Sequence, residues 1–184
     1  MDVVLYVIAT TDPNLAQRAQ AQALVRRDRA MKMFLEIDAE TTIGQMCRRI
    51  AGRFTIGSSW RLTELHICAH GNAAYGFVDI GTQLRATQAP AFRATRRCWI
   101  NTGRVAPGAH IEMNVCDAAG VGMTPTMIAL ADSAGVPVRA CPVPIPIDTL
   151  FTPAEGFQVF MPRSGAITQE DYVGPEMPLR GGGE

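Results

Sequence analysis

Lysine is almost missing from this chain: of its 17 basic residues only Lys32 is a lysine, and 17 acidic residues bring the formal net charge to zero. No global field draws such a chain to nucleic acid or acidic lipid, so neither is expected as a partner. The arginine groups Arg26, Arg27 and Arg29, and Arg48, Arg49 and Arg53, fall on expected helices and read as solvated helix faces rather than a nucleic-acid patch.

Paired-cysteine spacing is missing too. Cys47, Cys68, Cys98, Cys116 and Cys141 are odd in number and include no C-x-x-C, which argues against a disulfide framework and a zinc cluster and fits a reducing compartment. Three scattered histidines offer no ligand spacing, so no metal and no cofactor is expected. Neither G-x-x-x-x-G-K-S/T nor the full G-x-G-x-x-G occurs. No apolar run approaches the length of a membrane span, and Asp2 stands where a signal peptide would carry positive charge. The expectation is a cytoplasmic protein with no membrane partner.

What is present is apolar and periodic. With 184 residues, 47% of them hydrophobic and 18% charged, the chain can bury one core. The run VVLYVIA (3–9) has the pattern of a strand covered on both faces. Asp12-Pro13 then caps a helix expected to reach about Arg29, and MKMFLEI (31–37) is a second strand. Thr42 and Gln45 have capping-box spacing, and Ile43, Met46, Cys47, Ile50, Ala51 and Phe54 share one helix face. ELHICAH (64–70) is a third strand, YGFVDIG (75–81) a small hairpin arm, and a helix is expected over 88–99. HIEMNVC (110–116) is the fourth main strand; Thr124-Pro125 caps a helix through about Ala134 that ends at Gly135, and PVRACPV and GFQVFMP complete the set. Residues 1–163 are expected to form one three-layer α/β domain with a mostly parallel sheet of about six strands. Residues 164–184, without periodicity, are expected to be a flexible tail.

In such sheets ligands bind beyond the carboxyl ends of the strands. His70 and Cys116 both end expected strands, on one rim. A thiol becomes a nucleophile when it ionises, and His70 is the available base if the two strands are neighbours. The backbone N–H groups of Gly71 and Cys116 then make an expected oxyanion hole. Cys68 and Cys141 fall inside apolar runs and read as core. His66 reads as a hydrogen-bonded packing residue, and His110 is placed at the start of a strand, on the far edge of the sheet.

A hydrophobic strand ending in His-Gly, followed some forty residues later by one ending in Cys, resembles the caspase-like cysteine peptidases; here 46 positions separate His70 from Cys116. The residues LHICAHGN, FVDIG, APGAHIEMNVCDAAG and IALADSAGVPVRA look especially like the bacterial caspase-like domains of large surface proteins, and more distantly like CHAT and clostripain-type peptidases. The resemblance covers about residues 60–142. It implies a caspase-like sandwich, Cys116 as nucleophile, His70 as general base and acid, Gly71 and Cys116 as oxyanion donors, and a protein or peptide substrate. No third acidic residue is required by that pattern, so Asp79 and Asp117 are given no triad role. Asp117 is expected to face away from the thiol or to bind substrate. Caspases carry Gln two residues before the nucleophile and Arg- or Lys-cleaving relatives carry Asp; this chain has Asn114, expected to wall the S1 pocket and to favour a neutral P1 residue.

Two other readings stand beside this one. A relative that has lost activity would keep the fold as a binding or scaffold module. DAAGVGMTP (117–125), a glycine-bearing loop between a strand and a helix, is what a phosphate or nucleotide binder would use.

Overall fold

The computed structural model describes residues 1–26, 30–55, 59–100, 103–116, 118–142 and 157–164. The element order is β1 (Asp2–Ala9), α1 (Pro13–Val25), β2 (Met31–Ile37), α2 (Ile43–Thr55), β3 (Arg61–Cys68), β4 (His70–Asn72), β5 (Phe77–Asp79), α3 (Arg93–Trp99), β6 (Val105–Asn114), α4 (Thr124–Ala134), β7 (Val138–Ala140) and β8 (Gln158–Phe160). A 3-10 turn, Ala89–Phe92, leads into α3. The six-stranded sheet runs β2-β1-β3-β6-β7-β8, parallel throughout except for the antiparallel pair β7 and β8. β4 and β5 form a separate two-stranded arm.

Alternation along the strands builds the layers. Val3, Leu5 and Val7 of β1, Leu65 and Ile67 of β3, and Ile111 and Met113 of β6 face one way, onto Ile43, Met46, Ile50 and Phe54 of α2, Trp99 of α3 and Met127, Leu130 and Ala131 of α4. Val4, Tyr6 and Ile8 face the other way, onto Leu15, Ala16, Ala19 and Ala23 of α1. The result is a three-layer α/β sandwich with three helices on one side of the sheet and α1 on the other. Among the described residues no helix is long and apolar enough to cross a membrane.

Two of the three expected amino-terminal caps form; Thr124 is instead the first residue of α4, after Met123, and its hydroxyl donates to Gly120 O at 3.4 Å. Asp12 caps α1 by accepting from the N–H groups of Asn14 (2.8 Å) and Leu15 (3.3 Å). Thr42 and Gln45 close a capping box, Gln45 N–H to Thr42 Oγ1 at 3.1 Å and Thr42 N–H to Gln45 Oε1 at 2.8 Å. The expected hairpin arm is present, and its partner strand begins at His70 itself.

Several boundaries and side chains differ from expectation. The main strand ends at Cys68, not at His70, because the chain peels away to pair with β5. β6 begins at Val105, so His110 lies inside the strand; Pro107, which is exposed, and Gly108 disguise its first half in the sequence. Arg26 is no solvated helix residue: it follows α1 and turns onto the sheet to meet Glu64 at 3.1 Å and Tyr6 Oη at 3.2 Å. Arg27, Arg29, Asp117, the loop 143–156 and all but the first residue of the expected tail lie outside the described residues.

Candidate active site

Strands β3 and β6 are direct neighbours, parallel, with Leu65 opposite Ile111 and Cys68 opposite Asn114. Counting two residues onward from that last pair gives His70 on one chain and Cys116 on the other. The ladder itself stops at Cys68 and Asn114, because the chain after Cys68 leaves it to pair with β5. The contact that follows is between backbones. A Cβ placed on Gly71 would lie 2.3 Å from the Cys116 carbonyl oxygen and 2.6 Å from Val115 Cγ1, so any side chain after His70 would hold the two segments apart.

The same seam continues outward. A Cβ on Gly122 would lie 1.8 Å from the Ala73 carbonyl oxygen, and the Thr126 hydroxyl donates to the Gly76 carbonyl at 3.0 Å. The segments after His70 and after Cys116 thus meet at Gly71, again where Gly122 approaches Ala73, and where Thr126 reaches Gly76. Gly122, the glycine that made 117–125 resemble a phosphate loop, is taken up by this seam.

His70 is half-exposed, its side chain 51% accessible, and its Nε2 lies 2.9 Å from Asp12 Oδ2. Asp12 therefore uses one carboxylate oxygen for the α1 cap and the other for the imidazole. The hydrogen bond with His70, followed by the N–H groups of Leu15 and Asn14, holds its carboxyl below the ordinary carboxylate range. An ionised carboxylate only accepts, so Nε2 carries the proton in this contact, and the neutral tautomer it selects is the one with the Nδ1 lone pair open. Sequence reading found Asp12 as a helix cap and missed it as the histidine's partner. The signal would have been strand order: β1 lies next to β3, which puts the residues that follow both strands on one rim.

Cys116 is partly accessible in the turn after β6. Three of the other cysteines differ from it in kind. Cys47, Cys68 and Cys141 are fully buried; burial pushes the Cys47 thiol up to about 12 and the Cys68 thiol up as well. Cys98 is partly accessible but lies in the last turn of α3, ahead of the amino end of β6. α4 begins after the Cys116 loop, so its positive end faces the carboxyl edge.

Asn114, expected to wall an open pocket, is 1% exposed, and its Nδ2 lies 2.9 Å from His66 Nδ1. That placement corrects the expectation: alternation turns the amide to the α1 face of the sheet, where an interior imidazole takes it up. His66 is a packing residue as read. It is fully buried, stacked on Tyr6 at 4.9 Å, and its Nε2 lies 2.6 Å from Glu64 Oε2. The network extends along β6 and β7, with Arg139 Nη1 3.2 Å from Glu112 Oε2 and Glu112 Oε2 3.6 Å from His110 Nε2. Burial alone would raise the Glu64 carboxyl, but the hydrogen bond and charge of His66, with Arg26 and His110, outweigh it and hold the group at about 2.

An open depression of about 560 Å³ lies over the residues after β2 and the start of α2, lined by Asp38, Glu40, Thr41, Gln45, Arg48 and Arg49. Its walls mix both charges and carry no nucleophile, and β1 and β3 separate it from β6.

Compared with models of protein families, with curated proteins and with solved structures, the chain matches none of them.

Proposed function

We propose that the chain is a caspase-like cysteine endopeptidase using Cys116 and His70 as a dyad. The observation that carries this reading is the approach of Gly71, the residue after His70, to the Cys116 carbonyl just beyond the last pair of the β3–β6 ladder.

In the proposed reaction His70 Nδ1 takes the Cys116 thiol proton, and the sulfur attacks the scissile carbonyl carbon. Charge gathers on the carbonyl oxygen, which the N–H groups of Gly71 and Cys116 receive. The imidazolium then returns its proton to the amine as the C–N bond breaks, leaving a thioester on Cys116. Water, deprotonated by the same imidazole, attacks the thioester, releases the acid and restores the thiol. Asp12 supports the reading from a direction the resemblance did not supply, since it fixes the imidazole tautomer and stabilises the imidazolium.

Asn114, buried against His66, carries no preference for the P1 residue, so the expected neutral P1 loses its support. The substrate is a protein or peptide, and five free cysteines fit work in the reducing cytoplasm. The deciding experiment is cleavage of a peptide library by the purified protein beside its Cys116→Ala variant. Hydrolysis by the first and none by the second is expected. Equal hydrolysis by both, or none by either, overturns the assignment, and the latter leaves the scaffold reading in its place.

A further inference from the structure

We propose that β2 pairs antiparallel with β2 of a second copy of this chain, making a two-fold dimer through one continuous sheet. The inference goes beyond the peptidase reading and uses none of its residues.

Among the described residues β2 is an edge strand, paired with β1 on one side only. Proteins commonly blunt such edges with short strands, bulges or proline. The other edge, β8, is a short strand, Gln158–Phe160. β2 has none of these devices: its seven residues, Met31–Ile37, pair with β1 without a slip and include neither proline nor glycine.

The ladder fixes what this edge presents. The Ile37 carbonyl accepts from Thr10 N–H at 2.9 Å and so faces β1. By alternation the backbone groups of Met31, Met33 and Leu35 turn the same way, and the N–H and C=O groups of Lys32, Phe34 and Glu36 point outward. The side chains of these last three share the α1 face, where Phe34 stacks on Tyr6 at 5.3 Å and Glu36 accepts from Gln20 Nε2. Met31, Met33, Leu35 and Ile37 turn to the opposite face, into the larger core.

Such an edge complements itself. With Phe34 on the two-fold axis, Lys32 of each copy stands opposite Glu36 of the other, and Met33 stands opposite Leu35. The outward-pointing residues then meet as bonded pairs, each exchanging two backbone hydrogen bonds. Registers that set Lys32 against Lys32, or Glu36 against Glu36, place like charges opposite each other and are disfavoured. A lysine on an edge ordinarily wards off other strands. Here the chain's one lysine lies four residues from a glutamate on the same face, so the strand it admits is one like its own. Its ammonium donates to the Arg26 carbonyl and has three protons to share.

Leu24 adds apolar surface beside the edge. It follows Gln20 by one turn of α1, which puts it on the helix stripe that reaches β2, and it is 64% exposed. In the joined sheet β1 and its copy lie three strand spacings apart, about 14 Å, so the two α1 helices run side by side and cover Leu24 between them.

The test is sedimentation equilibrium of the purified full chain at about 1–100 μM, a range in which an interface of modest size associates. A dimer is expected. Lys32→Glu alone and Glu36→Lys alone each set like charges opposite one another on both sides of the axis, and each should weaken the dimer by about tenfold or more. Mixed in equal amounts, the two variants should form a heterodimer, because each supplies the charge the other lacks. The double variant Lys32→Glu/Glu36→Lys should dimerise as the parent does. Melting temperatures check that the variants fold, and hydrogen exchange gives a readout that needs no substitution: in the parent the amides of Lys32, Phe34 and Glu36 should exchange more slowly at the highest concentration than at the lowest. A parent that stays monomeric throughout the range overturns the proposal and leaves β2 to a strand of another protein. A dimer that neither charge reversal weakens, or a mixture that associates no better than the separate variants, puts the interface elsewhere and overturns it as well.

Discussion

Asp12 and His70 stand 58 positions apart in the chain, yet a single carboxylate holds both the first turn of α1 and the imidazole at the sheet's edge. The two jobs can be separated chemically. Asparagine caps a helix as well as aspartate does, but it carries no charge to stabilise an imidazolium. Asp12→Asn should therefore melt close to the parent while losing about 10- to 100-fold in kcat, the lower end reflecting the contact's exposure to water. Asp12→Ala should show the same kinetic loss and in addition about 1 kcal/mol of stability from the missing cap. Kinetics on peptides and thermal melts of both variants check this. Full activity in Asp12→Asn would remove Asp12 from the site.

Thiol labelling should pick out Cys116. Partly accessible and served by His70 as the proposed base, it should react with iodoacetamide at least tenfold faster than Cys47 and Cys68, whose thiols burial keeps protonated. His70→Ala should slow the labelling of Cys116 and leave the others unchanged, as peptide mapping by mass spectrometry would measure.

Gly71→Ala should be costly on two counts. The new methyl meets the Cys116 carbonyl oxygen and Val115, so the strand ends must separate, at about 1–3 kcal/mol of stability. Separation also moves the proposed oxyanion donors apart, and peptide hydrolysis should fall by more than 100-fold. Gly122→Ala opens the seam farther out and should cost similar stability with a smaller loss of activity. Denaturant unfolding and kinetics on the pair test the ordering.

Acid should attack the protein through Glu64. Its carboxyl is held at about 2 in the folded protein against an ordinary value of 4.5, so its contribution is full above about pH 4.5 and disappears as pH falls toward 2. A shift of that size corresponds to about 3 kcal/mol at neutral pH. Glu64→Gln should be less stable than the parent at pH 7, and the difference should shrink between pH 4.5 and pH 2. A difference that is constant with pH would mean that His66 and Arg26 do not hold the carboxylate.

The parts of this arrangement that depend on neighbours in sequence were legible in the sequence. Asp12-Pro13, the Thr42-Gln45 box and the Ile43-to-Phe54 face each act within one helix, and each is found where expected. So is the adjacency of β3 and β6, since two apolar runs joined by a long crossover favour it. What sequence reading missed depends on residues brought together by strand order. The Asp12-to-His70 contact needs β1 beside β3. The inward turn of Asn114 needs to know that the α1 face of β3, β6 and β7 is lined by Glu64, His66, Glu112 and Arg139 rather than by apolar side chains. His110 was misplaced because Pro107 and Gly108 hide the first half of β6.

The pairing of β3 with β6 also divides the chain by its tolerance of insertions and deletions. Between Leu62 and Glu64 on one strand, and Val105 and His110 on the other, the ladder already slips, so an added or lost residue there alters an irregularity that exists. From Glu64 and His110 onward every residue has a fixed partner as far as Cys68 and Asn114. One codon gained or lost in that stretch would turn each later side chain to the opposite face and bring His70 or Cys116 out a step early or late. A library of single-codon deletions scored for folding and for cleavage should change character at His110: permissive before it, intolerant after it.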